Sequence, residues 1–329
     1  MDRQMSEDLI DIEAAARRLA GHARRTPLLS SPFLDEIAGR TILIKAECLQ
    51  HSGSFKFRGA WSAISALDAK RRTRGVMAFS SGNHAQGIAM AAKAHDTPAT
   101  ILMPSDAPAI KQENTRALGA EVILYDRATE DRDVIGDKIA AERGLTMIRP
   151  YDEPLVIAGQ ASVGIEIAEQ AAERDIREAE VITCCGGGGL TAGVALALED
   201  HAPGMIARTA EPEGFDDVRR SLASGKIERN AQMSGTICDA IQTQQPGDIT
   251  FPIMKRLCGP GYAVSEEEAL RAMVLAFSRL RIVLEPGGAV ALAAALFHSA
   301  QSDARTVIAI ASGGNVDPEI FANALKTYG

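Results

Sequence analysis

Gln-His-Ser-Gly-Ser-Phe-Lys-Phe-Arg-Gly-Ala, residues 50–60, sets one lysine, Lys56, in surroundings that a surface lysine does not need. Ser52, Gly53 and Ser54 make a tight polar turn before it, Phe55 and Phe57 flank it with apolar bulk, and Arg58-Gly59-Ala60 leads into a helix. A lysine held on a short loop between aromatic neighbours is partly desolvated. That disfavours the ammonium form and frees the amine to act as nucleophile or base. The chemistry of the chain is therefore expected to be organised around Lys56.

On either side of this stretch, short β-rich runs alternate with helical patterns. Strands are expected over 42–46, 76–79, 99–103, 121–125, 181–185, 205–210 and 306–311. Helices are expected over 59–67, 84–94, 110–118, 129–143, 158–173, 190–200, 265–278 and 289–298. Such alternation is the mark of α/β layering with mostly parallel, buried sheets. The strands at 76, 99 and 121 suffice for a small sheet, and those at 181, 205 and 306 for a second, which the strand near 42 can join. A chain of 329 residues is long enough for two lobes. The expected division is a large domain of 1–50 and 147–329 with a small domain of 51–146 inserted into it. Ligands of open α/β sheets bind beyond the carboxyl ends of the strands, so the loops there should carry the chemistry.

Composition narrows the function classes. Apolar residues make up 46% and charged residues 24%, ordinary values for a globular protein, and the formal net charge is -8. An acidic balance argues against a nucleic-acid partner, which needs clustered Lys and Arg. The basic groups at 24–25 and 70–72 are isolated and read as solvated faces. No apolar run of about 18 residues suggests a membrane span, and the polar, acidic start does not resemble a signal peptide. Cys48, Cys184, Cys185, Cys238 and Cys258 fit no metal-ligand spacing. A cytoplasmic protein without membrane partner is expected.

Three loops at strand ends stand out. The strand over 181–185 runs into Gly186-Gly187-Gly188-Gly189, and a helix follows at once. Consecutive glycines expose backbone N–H groups at a helix N-terminus, which suits an anion. No Gly-Lys-Ser/Thr follows, and a ribose-binding acid is missing, so a single phosphate is the best-matched ligand against the alternative of a plain turn. After 76–79 comes Ser80-Ser81-Gly82-Asn83-His84, rich in hydroxyls and N–H groups at a helix start, which suits a carboxylate. His84 invites a general-base role, but at a helix N-terminus its backbone N–H is the better candidate. After 306–311 comes Ser312-Gly313-Gly314-Asn315, where Ser312 can hydrogen-bond a heteroatom without bringing charge to it. An activated lysine, a phosphate cup, a carboxylate loop and a neutral hydroxyl together make a pyridoxal phosphate site.

At this point the sequence closely resembles the fold-type II pyridoxal phosphate enzymes of the serine/threonine dehydratase and serine racemase family. Ser-Phe-Lys-x-Arg-Gly-Ala, Ser-x-Gly-Asn-His, Gly-Gly-Gly-Gly-Leu and Ser-Gly-Gly-Asn stand in that family's order and spacing, over almost the whole chain. The resemblance implies the two-lobed, tryptophan synthase beta-like fold, with Lys56 bonded to the cofactor. It implies that Gly186, Gly187, Gly188 and Gly189 hold the phosphate, Asn83 the phenolic oxygen and Ser312 the pyridine nitrogen. A serine at that nitrogen favours elimination over transamination, because a fully developed carbanion is less stabilised. Ser80, Ser81, Gly82, Asn83 and the His84 backbone would receive the substrate carboxylate. Freed Lys56 would take the Cα proton, the β-hydroxyl would leave, and hydrolysis would give a 2-oxo acid and ammonia. The resemblance also sets Glu211, Asp217 and the Phe215 carbonyl around Mg²⁺ or Ca²⁺, hard-oxygen ligands as such ions require. An acidic solvated turn is the alternative there.

Three departures bear on the substrate. Ser81 matches the racemase pattern, where a hydroxyl opposite Lys56 could reprotonate Cα, yet it could equally bind the carboxylate. Arg149 stands where the family usually has histidine or isoleucine; it is either a surface residue or a bidentate partner for a second carboxylate, as in 3-hydroxyaspartate. Cys238-Asp239-Ala240 replaces Ala-Asp-Gly. The expectation is an ammonia-lyase for a small β-hydroxy-α-amino acid, with serine and threonine ahead of 3-hydroxyaspartate, and a homodimer. The alternatives are an amino-acid racemase using the same site and, in another class, a non-catalytic anion-binding protein.

Overall fold

In a computed structural model, which describes residues 9–329 except Ser81, Pro108, Arg127 and Met233, the strands gather into two sheets. They are β1 (Leu28–Ser30), β2 (Thr41–Lys45), β3 (Val76–Phe79), β4 (Ala99–Pro104), β5 (Glu121–Tyr125), β6 (Thr146–Met147), β7 (Ala179–Cys184), β8 (Met205–Pro212), β9 (Tyr262–Val264) and β10 (Thr306–Ile310). The larger sheet has the order β1-β2-β10-β7-β8-β9 and the smaller one β5-β4-β3-β6. Neighbouring strands run parallel throughout, apart from the antiparallel pair β1–β2. The fold is mixed α/β with mostly parallel sheets, as the sequence led us to expect.

The central strands read as unbroken apolar runs because helices cover both of their faces. Val307, Ile308, Ala309 and Ile310 of β10 are wholly buried. The helix Pro286–Phe297, PGGAVALAAALF, is apolar all round, which a helix tolerates only in a core. It packs against β7, β8 and β10. Strands β1, β6 and β9 span three residues or fewer, too short for a period to be read, and the sequence reading missed them. β2 does pair with β10, joining the larger sheet as expected.

One boundary matters for the chemistry. The helix expected from 59 begins at Lys56 and runs Lys56–Ser65, so the lysine stands on a first helical turn instead of a loop. Phe55 already has helical backbone angles, φ -54 and ψ -21. Behind that turn lies a buried ion cluster. Arg58 donates from Nε and Nη2 to Glu47 at 2.8 Å each, and from Nη1 and Nη2 to Glu166 at 2.7 and 2.9 Å. Lys45 of β2 donates to Glu166 at 2.5 Å, and the Thr26 hydroxyl to Glu47 at 2.5 Å. Burial alone would raise the Glu47 carboxyl, but Arg58 and Lys45 overcome it and hold the group below the usual carboxylate range. The cluster ties the lysine helix to β2 and to the helix Pro154–Ala172.

Removing one member leaves an uncompensated buried charge, so Glu47→Ala should cost about 3–5 kcal/mol in urea unfolding. Glu173→Ala, which deletes a partner of the exposed Arg25, should cost about 0–1 kcal/mol. Similar losses for the two variants would contradict this account of the cluster.

Candidate active site

Lys56 is half-buried as a residue, but its amine end is enclosed. Its Nζ donates to the Pro150 carbonyl at 2.7 Å and lies 5.1 Å from the Phe55 ring centroid. Desolvation lowers the amine to about 8, and the negative charge of Glu285 offsets this only in part. The lysine is thus able to shed its proton near neutral pH, with Phe55 the one flanking aromatic seen against its amine.

The loop before it is stitched to a loop close to the other end of the chain. Phe55 N donates to Ser312 O at 3.1 Å, Gly314 N donates to Gly53 O at 2.9 Å, and Ser54 and Gly313 form a bridge. Asn315 Nδ2 donates to Ser52 O at 2.8 Å and to Asn83 Oδ1 at 2.7 Å. Asn83 Nδ2 in turn donates to Glu285 Oε1 at 2.5 Å. Ser312, itself buried, sits just beyond β10 with its hydroxyl against the Cys184 thiol. Three expected site residues, Lys56, Asn83 and Ser312, are therefore joined through one hydrogen-bonded seam.

Beyond β7 the chain passes through Gly186, Gly187 and Gly188 into the helix Gly189–His201. The backbone has no room for side chains. A Cβ on Gly187 would lie 2.3 Å from the Tyr151 ring, and one on Gly189 would lie 2.9 Å from Tyr151 Cα. Gly188 has φ +94 and faces Met254. The Thr250 hydroxyl braces the loop by donating to Gly187 O at 2.6 Å. The result is a fixed ledge at a helix N-terminus, where free N–H groups favour an anion. Tyr151 lies across it, next in sequence to the residue whose carbonyl holds Lys56.

In the loop after β3, Ser80 Oγ accepts from Gly82 N at 3.1 Å. Ser81 lies outside the described residues. Asn83 opens the helix Asn83–Ala94, and His84 is buried behind it. The His84 ring binds the Ile148 carbonyl through Nε2 at 3.0 Å. Burial, with Lys56 acting the same way, lowers the imidazole to about 3. A ring so weakly basic and so tied is a poor proton acceptor. Arg149 is exposed and lies close enough to Glu153 to oppose the rise that burial imposes on that carboxyl. A second arginine, Arg132, stands 5.8 Å from the Phe79 ring centroid and favours ionisation of the Tyr151 phenol, against burial and Asp152.

The acidic segment begins in the last residues of β8 and runs into the helix Asp217–Ser224. Glu211 accepts from Val218 N at 2.9 Å and from Arg219 N at 2.7 Å. Asp217 Oδ1 accepts from Asn230 at 2.6 Å, while its Oδ2 is buried without a partner. Burial first, then the neighbouring acid, raises Glu211 well above the usual range, and burial raises Asp217 to about 7. Phe215 stands between them, its side chain buried. Among the described residues, no three or more His, Cys, Asp or Glu side chains are grouped as metal ligands. The five cysteines are free.

Glu285 is the residue that sequence reasoning missed. It caps the helix Pro286–Phe297 and stands only 4% exposed against Asn83. The helix expected from 289 begins three residues earlier, at Pro286. Glycine is in fact required: a Cβ on Gly288 would lie 2.2 Å from Gly313 O. Proline directly after an acid, at a first helical position, was the available signal.

Residues 19–313 match the family described as pyridoxal-phosphate dependent enzyme. The chain is 44% identical to an L-threo-3-hydroxyaspartate ammonia-lyase of Pseudomonas sp over 96% of its own length and 98% of the relative's. It is 39% identical to the serine racemase of Schizosaccharomyces pombe over 98% of its length and 100% of the relative's. The crystal structure of a threonine deaminase from T.th. superposes with a TM-score of 0.87 at 42% identity, covering 93% of this chain and 97% of that one.

Ordinary lysines titrate at about 10.4. Competitive acetylation of the cofactor-free chain across a pH series, read by peptide mass spectrometry, should give Lys56 an apparent pKa of about 8. A value close to that of the surface lysines would overturn the desolvation argument.

Proposed function

The chain belongs to the pyridoxal-phosphate dependent enzyme family, and from that premise we propose that it is an ammonia-lyase for small β-hydroxy-α-amino acids, with 3-hydroxyaspartate the leading substrate. Serine and threonine stood ahead of it on the sequence. The 44% identity to an ammonia-lyase of that name, together with the arginine at 149, reverses the order. Membership of an enzyme family removes the non-catalytic alternative.

The residues present fit the cofactor. Lys56 would hold its aldehyde carbon, the glycine ledge over 186–189 its phosphate, Asn83 its phenolic oxygen and Ser312 its pyridine nitrogen. A side chain at Gly187 would meet Tyr151, so the ledge suits a ligand that needs backbone N–H groups alone. Bound there, the cofactor supplies an electron sink for charge that develops at Cα. The chain supplies the rest. Lys56, neutral at little cost, takes the proton from Cα, and the β-hydroxyl leaves from the neighbouring carbon as water, which hydrolysis of the product later restores. Ser80, Ser81, Gly82, Asn83 and the His84 N–H fix the α-carboxylate, which orients the Cα–H bond toward the lysine. Arg149 meets the second carboxylate from the rim. The net products are a 2-oxo acid and ammonia. The observation that carries this reading is the seam joining an enclosed, easily deprotonated Lys56 to Asn83 and Ser312.

We further assign residues 51–146 to a smaller domain and 1–50 with 147–329 to the cofactor-binding one, in a homodimer of the cytoplasm. No helix among the described residues is long and apolar enough to cross a membrane. At the acidic segment, the unpartnered Asp217 Oδ2 and the raised carboxyls fit a hard divalent cation such as Mg²⁺ or Ca²⁺, held by Glu211, Asp217 and the Phe215 carbonyl. Its role would be structural. The melting temperature should fall on adding a chelator and recover with either ion; a flat response sinks the cation site.

Racemisation at the same site is the second reading, favoured by the 39% identity to a serine racemase. A panel of serine, threonine and 3-hydroxyaspartate stereoisomers separates the two. Release of 2-oxo acid and ammonia should be fastest with a 3-hydroxyaspartate isomer, and unreacted substrate should keep its configuration. Inverted substrate without ammonia would favour the racemase.

A further inference from the structure

The amide of Asn83 has no freedom to turn over, and the cause can be traced along a chain of donors. The Ser52 carbonyl can only accept, so it fixes Asn315 Nδ2 at 2.8 Å. The same nitrogen meets Asn83 at 2.7 Å, which therefore presents its oxygen, Oδ1. Asn83 Nδ2 is left pointing at Glu285, 2.5 Å away. Glu285 is held in turn. Its own N–H donates to Gly313 O at 3.1 Å, and a Cβ on Gly313 would come within 2.1 Å of Glu285 Oε1. The carboxylate is walled in by backbone on one side and opens on the other to a small cleft lined by Gln86, Lys111, Asp239 and Asn315.

We propose that Glu285 is the positioning residue for Asn83, and that its negative charge sets how firmly Asn83 holds the phenolic oxygen of the cofactor. The inference rests on the reading of the site under Proposed function. An ionised carboxylate makes a charge-assisted bond to the amide, roughly twice as strong as a neutral one. A protonated Glu285 keeps only a carbonyl oxygen for the same contact. Geometry survives protonation; the strength of the hold does not.

The charged and titratable groups facing Glu285 come from several elements. Lys56 lies on the lysine helix, Lys111 on the helix Ala109–Ala117, Asp239 on the turn Asp239–Ile241, Cys48 on the turn Glu47–Leu49 and Cys184 at the end of β7. Lys111 and Asp239 are paired at 2.7 Å and largely offset each other. Burial raises the Glu285 carboxyl most, Asn83 and the lysines oppose it, and the balance lies at about 7. The charge is therefore present on the alkaline side of neutrality and lost as pH falls through that value.

Glu285→Gln tests the proposal, because glutamine keeps the acceptor oxygen and loses the charge. The dissociation constant for pyridoxal phosphate and the visible spectrum of the loaded enzyme are measured across neutral pH. In the wild type, binding should weaken and the spectrum should change as pH falls through about 7. The glutamine variant should show acid-side affinity and spectrum throughout, with that transition gone. Glu285→Asp, one methylene shorter but still acidic, should retain a transition at a displaced midpoint. A transition in Glu285→Gln at the wild-type midpoint overturns the proposal. Should that variant fail to fold, an unmoved midpoint in Glu285→Asp overturns it instead. Borohydride reduction with peptide mapping keeps the two levels apart. Label on Lys56 with an unaltered titration in the variants sinks only the role of Glu285, whereas no label on Lys56 sinks the reading of the site.

Discussion

The pairing of residues 53–55 with 312–314 is the constraint on which the site depends. Two backbone hydrogen bonds and a bridge hold the turn before Lys56 against the end of β10. The lysine helix is thereby hung from the larger sheet, and the ion cluster of Arg58, Glu47, Glu166 and Lys45 fixes its far side. One face of the first turn is pinned by backbone and the opposite face by charge. Lys56 reaches the Pro150 carbonyl, next in sequence to the Tyr151 that lies across the glycine ledge. Rotamer-rich side chains lose freedom when enclosed, and here the loss is offset by packing that the fold needs in any case.

Much of this was legible in the sequence because the responsible residues act locally. The glycines over 186–189 read as a backbone anion site against a plain turn, and their backbone is indeed packed too closely for side chains. Phe55 does lie against the lysine amine, whereas Phe57 packs on His51 and Trp61. Where the reading went astray, distant contacts had decided the matter. The helix start at Lys56 depends on Ser312, and the helix start at Pro286 on the approach of Gly313. Neither partner is visible from a local window. β1, β6 and β9 exist as additions to strands already formed, which no periodicity in three residues or fewer can announce.

Desolvation is the common cause behind the unusual proton affinities of the site. It pushes Lys56 down to about 8, Glu285 up to about 7 and His84 down to about 3, always toward the neutral form. The outcomes differ because the partners differ. His84 has only a carbonyl and the unfavourable charge of Lys56, so it remains neutral. Lys56 and Glu285 have each other, with Asn83 and Lys111 adding support to the carboxylate. Both therefore keep proton affinities within reach of neutrality, where a group that must gain and lose a proton is useful.

The same accounting of charge bears on what the cleft admits. Lys56 and Lys111 face Glu285 and Asp239, so its interior is balanced. A substrate with one amine and one carboxylate preserves that balance. A second carboxylate upsets it, and in a desolvated cleft an unpaired anion is costly. The compensating cation must come from outside the balanced set. Arg149 is exposed, flanks the segment that holds Lys56, and is only partly engaged by the raised carboxyl of Glu153. A guanidinium at the rim, still hydrated before substrate arrives, avoids the penalty that a buried unpaired arginine would carry. The proposed preference for a dicarboxylic substrate is then compatible with an interior built for neutral proton exchange.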